Sequence, residues 1–244
     1  MSLVGQKAAV VSFGISCQTT LQIDDHADLI ASAVGDEALK KSSLPFDAVL
    51  THPTSTARML DAGTFYPASK DELVLYKGAY WPKQQAYFRH ECTLRKSRPI
   101  EYLRGKVNLD RGHRELASKF AHLSQKFRGL KKLERLIFVV CNLQNDLPEM
   151  QAEIGGNSGD SIVSIESMQQ LCDACDRYFG RPCEYIFVTY PSLWTGRGSR
   201  PGLSVFELKP DDSQWAGDHA QWRALWTDYF HANPGPLTQP RVSA

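Results

Sequence analysis

The sequence predicts an α/β protein, a single domain whose mostly parallel central sheet is flanked by helices. Three observations carry this reading. The runs "KAAVVSFG", "RLIFVVCNL" and "CEYIFVTY" are short, apolar and without polar alternation, the mark of strands buried on both faces. Between them lie longer segments with apolar residues every three or four positions. Strands that alternate with helices favour parallel pairing, because each crossover helix returns the chain to the same edge. The chain of 244 residues, with 42% hydrophobic and 23% charged residues, is long enough to bury a sizeable core.

In order, the first strand runs to Gly14, and Ile23, Ala27, Ile30 and Val34 then mark helix up to Val34. "PFDAVLTH" reads as a second short strand, and "PTSTARMLDAG" as a helix closed by Gly63. Residues 64–109 are rich in aromatics and charge and read as an irregular insertion of short strands and loops. Regularity returns with Leu116, Phe120, Leu123, Phe127 and Leu130 on one helical face. A helix containing "CDAC" ends at Gly180, and "GLSVFELKP" is a further strand. "SQWAGDHAQWRALWTDYF" is a last helix, with Trp215, Trp222, Trp226 and Tyr229 along one side. The domain is expected to span 1–233, with a loose tail at 234–244.

Composition excludes several classes. A net charge of +1 provides no global field toward nucleic acid, and no apolar run has the length of a bilayer span. The N-terminus lacks the basic and apolar blocks of a signal peptide. Six dispersed cysteines, without framework spacing, suit reduced thiols in a cytoplasm. Within "CDAC", Cys172 and Cys175 share an apolar stripe with Met168, Leu171 and Phe179, so core packing is favoured over metal or redox chemistry. No nucleotide, metal or other cofactor motif is present, and neither a nucleic acid nor a membrane partner is expected.

Functional groups in such a sheet gather beyond the carboxyl ends of its strands. "FGISC", "CNLQND" and "YPSLWTGRGSR" all fall there. Cys17 lies between a buried strand and a helix, where the positive end of the backbone dipole favours thiolate. First-turn amides such as those of Gln18 and Thr19 would suit an oxyanion; the alternative is a small residue required by packing. Among seven histidines, His26 points down the helix, while His113, His122 and His231 read as solvated. His52 follows a predicted strand, His90 lies in the irregular region, and His219 falls on the tryptophan side of the last helix, where a core role is favoured. Asp47, set among apolar residues, needs a histidine, an arginine or backbone amides as partner.

"VVSFGISCQTTLQI" followed by "SSLPFDAVL" resembles the opening of a bacterial family of uncharacterised proteins described as papain-like cysteine peptidases. Its Ser-Leu-Gly-x-x-Cys motif maps to Ser12, Gly14 and Cys17, and its Pro-Phe-Asp-Trp block to Pro45, Phe46 and Asp47. Its His-Asp-like pair maps to His90 and Glu91, and its C-terminal "W-G-D…W" segment to Trp215, Gly217, Asp218 and Trp222. Phe13 replaces leucine, Ala48 replaces tryptophan and Glu91 replaces aspartate. The resemblance implies Cys17 as nucleophile, His90 as general base and Asp47 as a possible orienting acid.

The function so implied is a hydrolase or acyltransferase acting on an amide, ester or thioester bond of a small-molecule, peptide or glycan substrate, with Gln18 and Asn142 in contact with it. Papain-like folds are α+β, which stands as the alternative fold. A parallel sheet also resembles esterases of the SGNH type, in which Cys17, Asn142 and the pair Asp218 and His219 would hold comparable places, acting on glycans. Here that pair is adjacent and no Gly-Asp-Ser precedes. A third reading is a non-catalytic binding protein, with Arg197 and Arg200 of "TGRGSR" facing an anionic ligand.

Overall fold

In a computed structural model, residues 7–15, 17–35, 43–47, 49–76, 78–88, 109–143, 146–155, 162–196, 199–209 and 217–234 are described. Four strands form the central sheet: β1 (Ala8–Ser12), β6 (Arg135–Asn142), β8 (Glu184–Thr189) and β10 (Leu203–Glu207). They pair in the order β1-β6-β8-β10 and every pairing is parallel. The α/β expectation is therefore met.

Alternation along each strand feeds two separate cores. Ala9, Val11, Leu136, Phe138, Val140, Tyr185 and Phe187 face one layer of helices. That layer holds α3 (Pro53–Ala62), α4 (Leu109–Gly129) and α6 (Ile165–Phe179). Ala8, Ile137, Val139, Cys141, Ile186 and Val188 face the other, which holds α2 (Ala27–Val34) and α7 (His219–Ala232). Leu116, Phe120, Leu123, Phe127 and Leu130 are all buried as their spacing predicts. So are Trp222, Trp226 and Tyr229, whereas Trp215 lies outside the described residues.

A second sheet, absent from the expectation of one central sheet, joins three short strands of the insertion to a short strand that precedes it. It is antiparallel in the order β2-β5-β4-β3, with β2 (Leu50–Thr51), β3 (Val74–Leu75), β4 (Ala79–Trp81) and β5 (Ala86–Phe88). The remaining elements are α1 (Gln18–Asp25), α5 (Asp146–Ile154), β7 (Val163–Ser164) and β9 (Trp194–Thr195). The predicted tail lies outside the described residues apart from Pro234. No helix of the described residues is long and apolar enough to cross a membrane.

Several sequence expectations need correction. The helix expected to run from Cys17 to Val34 is two, α1 and α2, joined at His26, whose Nδ1 lies 3.0 Å from the Gln22 carbonyl. The strand expected over "PFDAVLTH" shrinks to Leu50–Thr51, because residues 45–47 form a turn. There the Asp47 carboxylate accepts the Leu44 amide at 2.8 Å, a local bond that competes with strand pairing. The last helix begins only at His219, capped by Asp218, which accepts the amides of Ala220 (2.7 Å) and Gln221 (3.2 Å).

At the amino end of the parallel sheet, Arg135 makes two 2.7 Å bonds to Glu184 and a 3.0 Å bond to the Asn233 carbonyl. Tyr229 donates its hydroxyl to the same Glu184 at 2.5 Å, and burial pushes the Tyr229 phenol up. A cavity of about 380 Å³ opens beside this network, lined by Lys7, Val34, Glu134, Arg135, Glu184 and Asn233.

Candidate active site at the carboxyl edge of the sheet

The chain leaves β1 at the carboxyl edge and turns directly into α1. Gly14 (φ 72°) and Ile15 (φ 63°) both take the left-handed conformation in this turn. For Gly14 the reason is space as well as dihedral: a Cβ there would meet the Val49 carbonyl oxygen at 2.9 Å and Thr51 Cγ2 at 3.2 Å. Ile15 has no such licence. A β-branched, fully buried residue at positive φ is a backbone outlier, held in place by its surroundings. The turn delivers Cys17 to the N-cap of α1, half-buried, with a thiol that makes no capping bond. The expected placement of Cys17 at the strand-to-helix turn is what the structure shows.

The two halves of the opening motif pack on each other. Phe13 stacks on Phe138 of β6 at 4.4 Å between ring centroids and meets Phe46 edge-on at 5.2 Å. The Pro45–Asp47 turn also docks on the first turn of α1, where the Thr20 hydroxyl donates to the Asp47 carbonyl at 3.4 Å. Asp47 thus lies beside Thr20, the third residue after Cys17 in the chain, and keeps its carboxylate on the Leu44 amide.

Gln18 is buried at 2% exposure, so its side chain is not set out toward solvent as a substrate contact would be. Its Oε1 accepts from the Cys141 thiol of β6 at 3.4 Å. Its amide nitrogen lies against Gly217, where a Cβ would come within 2.3 Å of it. The opening motif and the Gly217–Trp222 segment, 199 residues apart for Gln18 and Gly217, meet here. Asn142, at the end of β6, is 1% exposed and donates its side-chain amide to the Leu193 carbonyl at 3.2 Å. It ties β6 to the loop after β8.

The candidate bases separate clearly. His219 is exposed, not in the core as its position suggested, and its Nε2 lies 3.5 Å from the Asp25 carboxylate. Asp25 ends α1 eight residues beyond Cys17, about 12 Å along the axis. His26 sits beside His219, with 5.7 Å between ring centroids. His52 caps α3: its Nδ1 accepts the Thr54 amide at 3.3 Å, which places the proton on Nε2, 3.1 Å from the Ile162 carbonyl. His90 and its neighbour Glu91 lie outside the described residues. His113, read as solvated, is half-buried with Nε2 3.1 Å from the Pro67 carbonyl.

Two further groups take structural roles. Arg200 spans Asp173 (2.8 Å) and Asp176 (2.7 Å), so the anion-binding reading loses its described cation; Arg197 lies outside the described residues. Cys172 and Cys175 are fully buried on α6. Burial pushes the Cys172 thiol up to about 12 and raises Cys175 as well, which keeps both protonated and inert. Cys17 differs from them in exposure and in its place at a helix N-terminus.

No family model, no curated protein and no solved structure matches the chain.

Proposed function

We propose that the protein is a cysteine-nucleophile hydrolase or acyltransferase that acts on an amide, ester or thioester bond. The observation that supports this is the strained Gly14–Ile15 turn, which sets Cys17 on the first turn of α1 at the carboxyl edge of a parallel sheet. Strain of this kind persists where a reactive group must be held in one place, as in the sharp strand-to-helix turns of other nucleophiles.

In the proposed reaction the Cys17 thiolate attacks the substrate carbonyl carbon. The first-turn amides of α1 receive the resulting oxyanion. Collapse expels the amine, alcohol or thiol and leaves a thioester on Cys17. Water then completes hydrolysis, or an acceptor nucleophile completes transfer. His90 is proposed to take the thiol proton and return it to the leaving group, on the strength of the family resemblance. Asp47 is proposed to orient that histidine, likewise on the strength of the resemblance. A glycan-directed enzyme of the SGNH type would draw its base from His219, and the His219–Asp25 pair favours the first reading.

Alkylation of Cys17 by iodoacetamide, followed by mass spectrometry from acid to alkaline pH, tests the proposal. The expected result is faster labelling than in the urea-unfolded chain, half-maximal below the ordinary thiol value of about 8.5. Labelling no faster than in the unfolded chain overturns it. Cys17→Ser is expected to abolish the acyl-protein adduct formed with activated esters.

A further inference from the structure

We infer that Gln18 and Gly217 are positioning residues, a clasp that fixes the first turn of α1 and thereby the Cys17 thiol. The inference rests on the reading of Cys17 as nucleophile. The residues form one continuous path. α7 is anchored in the core by Trp222 and Trp226, both fully buried. Asp218 caps α7 and fixes the chain just before it. Gly217 precedes Asp218 at φ 88°, and the absence of its Cβ opens the space that the Gln18 amide occupies. A Cβ there would lie 2.3 Å from Gln18 Nε2 and 3.0 Å from Trp222 Nε1.

Gln18 is held from its other side by the Cys141 thiol of β6, so its side chain is bonded to the sheet and packed against Gly217 at the α7 entry. Gln18 is also the residue after Cys17 and the first of α1. A displaced Gln18 side chain therefore turns the first-turn backbone, whose amides set both the dipole at the thiol and the oxyanion geometry. A Cβ at Gly217 meets the far end of a flexible side chain, not backbone, so the sterically cheapest response is to push the Gln18 amide aside.

The test compares Gly217→Ala and Gln18→Met with the parent chain. The readouts are the pH profile of Cys17 alkylation by iodoacetamide and hydrogen exchange of the α1 amides. The expected result is a Cys17 profile displaced upward by about one pH unit in both variants, with labelling at neutral pH slowed about tenfold. Exchange in the first turn of α1 is expected to rise. A merely structural role would lower the melting temperature without moving the profile, and unchanged profiles in folded variants overturn the inference. Should the left-handed backbone at residue 217 prevent Gly217→Ala from folding, Gln18→Met decides alone. If Cys17 of the parent chain labels no faster than in the unfolded chain, the nucleophile reading has failed and the clasp has no thiol to position. Fast parent labelling with unmoved variants rejects the clasp alone.

Discussion

At the amino end of the parallel sheet, Arg135, Glu184 and Tyr229 are joined by short charge-assisted bonds in ordinary backbone. At the carboxyl end, the chain enters α1 through two successive residues at positive φ, one of them a buried isoleucine. Buried polar atoms without a partner among the described residues occur at both ends, Arg135 Nη1 at the amino end and the Ser12 and Thr19 hydroxyls beside the turn. One end spends its polar groups on holding strands and helix together. The other carries backbone strain that packing alone would not select. Both ends serve the same four strands, so the contrast is between an ion-paired amino edge and a strained carboxyl edge, where the proposed chemistry would lie. The cavity beside Arg135 is lined by oppositely charged side chains and lies at the end of the sheet away from Cys17.

Breaking the amino end should have the largest effect on stability and none on the thiol. Glu184→Ala removes the acceptor of three bonds and leaves the Arg135 guanidinium, at 11% side-chain exposure, without its counter-ion. Loss of one partner of a buried pair costs about 3–5 kcal/mol, and with Glu184 at 31% exposure the low end, about 3 kcal/mol, is expected in urea denaturation. The Cys17 labelling profile should stay in place; a displaced profile would erase the division between the two ends.

Gly14→Ala strikes the carboxyl end and should do both. Its Cβ meets a backbone oxygen that cannot swing away, in a conformation that disfavours any side chain, for a cost of about 2 kcal/mol. The contrast sharpens if this smaller loss of stability is accompanied by slower Cys17 labelling, which Glu184→Ala leaves alone.

The smallest effect belongs to Asp218. Its bonds to the Gln221 side chain and to the amides of Gln221 and Ala220 hold its carboxyl below the ordinary value. A lowered folded value means that its contribution is fully present above the unfolded carboxyl value of about 3.9 and is lost as pH falls through the folded one. Asp218→Ala should therefore lower the melting temperature slightly at neutral pH, with the difference from the parent chain closing in acid. A difference that widened in acid would remove Asp218 from the capping role.

Much of the scaffold was legible because it rests on local period. The stripe from Leu116 to Leu130, the buried runs that became β6 and β8, and the core role of Cys172 and Cys175 follow from spacing alone. Cys17 was placed by the same logic, as the first polar turn after a buried strand. What spacing misjudged involved competition between local bonds. "PFDAVLTH" has strand composition, yet Asp47 captures the Leu44 amide and makes a turn. Local period does not announce α5, although Leu147 and Met150 sit three apart and are buried. His219 looked like a core residue because tryptophans follow it, but it occupies the exposed first position of α7.

Periodicity and composition determine which residues are buried and which elements they form, because a side chain's burial follows from its place on a helix or strand. They do not determine what meets across the fold. The packing of Phe13 against Phe46, the pairing of His219 with Asp25 and the contact of Gln18 with Gly217 join segments separated by up to 199 residues. Only the close packing of both helical layers on one sheet brings such groups within hydrogen-bonding or van der Waals distance. Cys17 could be singled out as a thiol at a helix start from its neighbours in the chain. The groups that hold its turn were decided by the tertiary structure, since contacts of that range arise from how layers stack and leave no trace in local period.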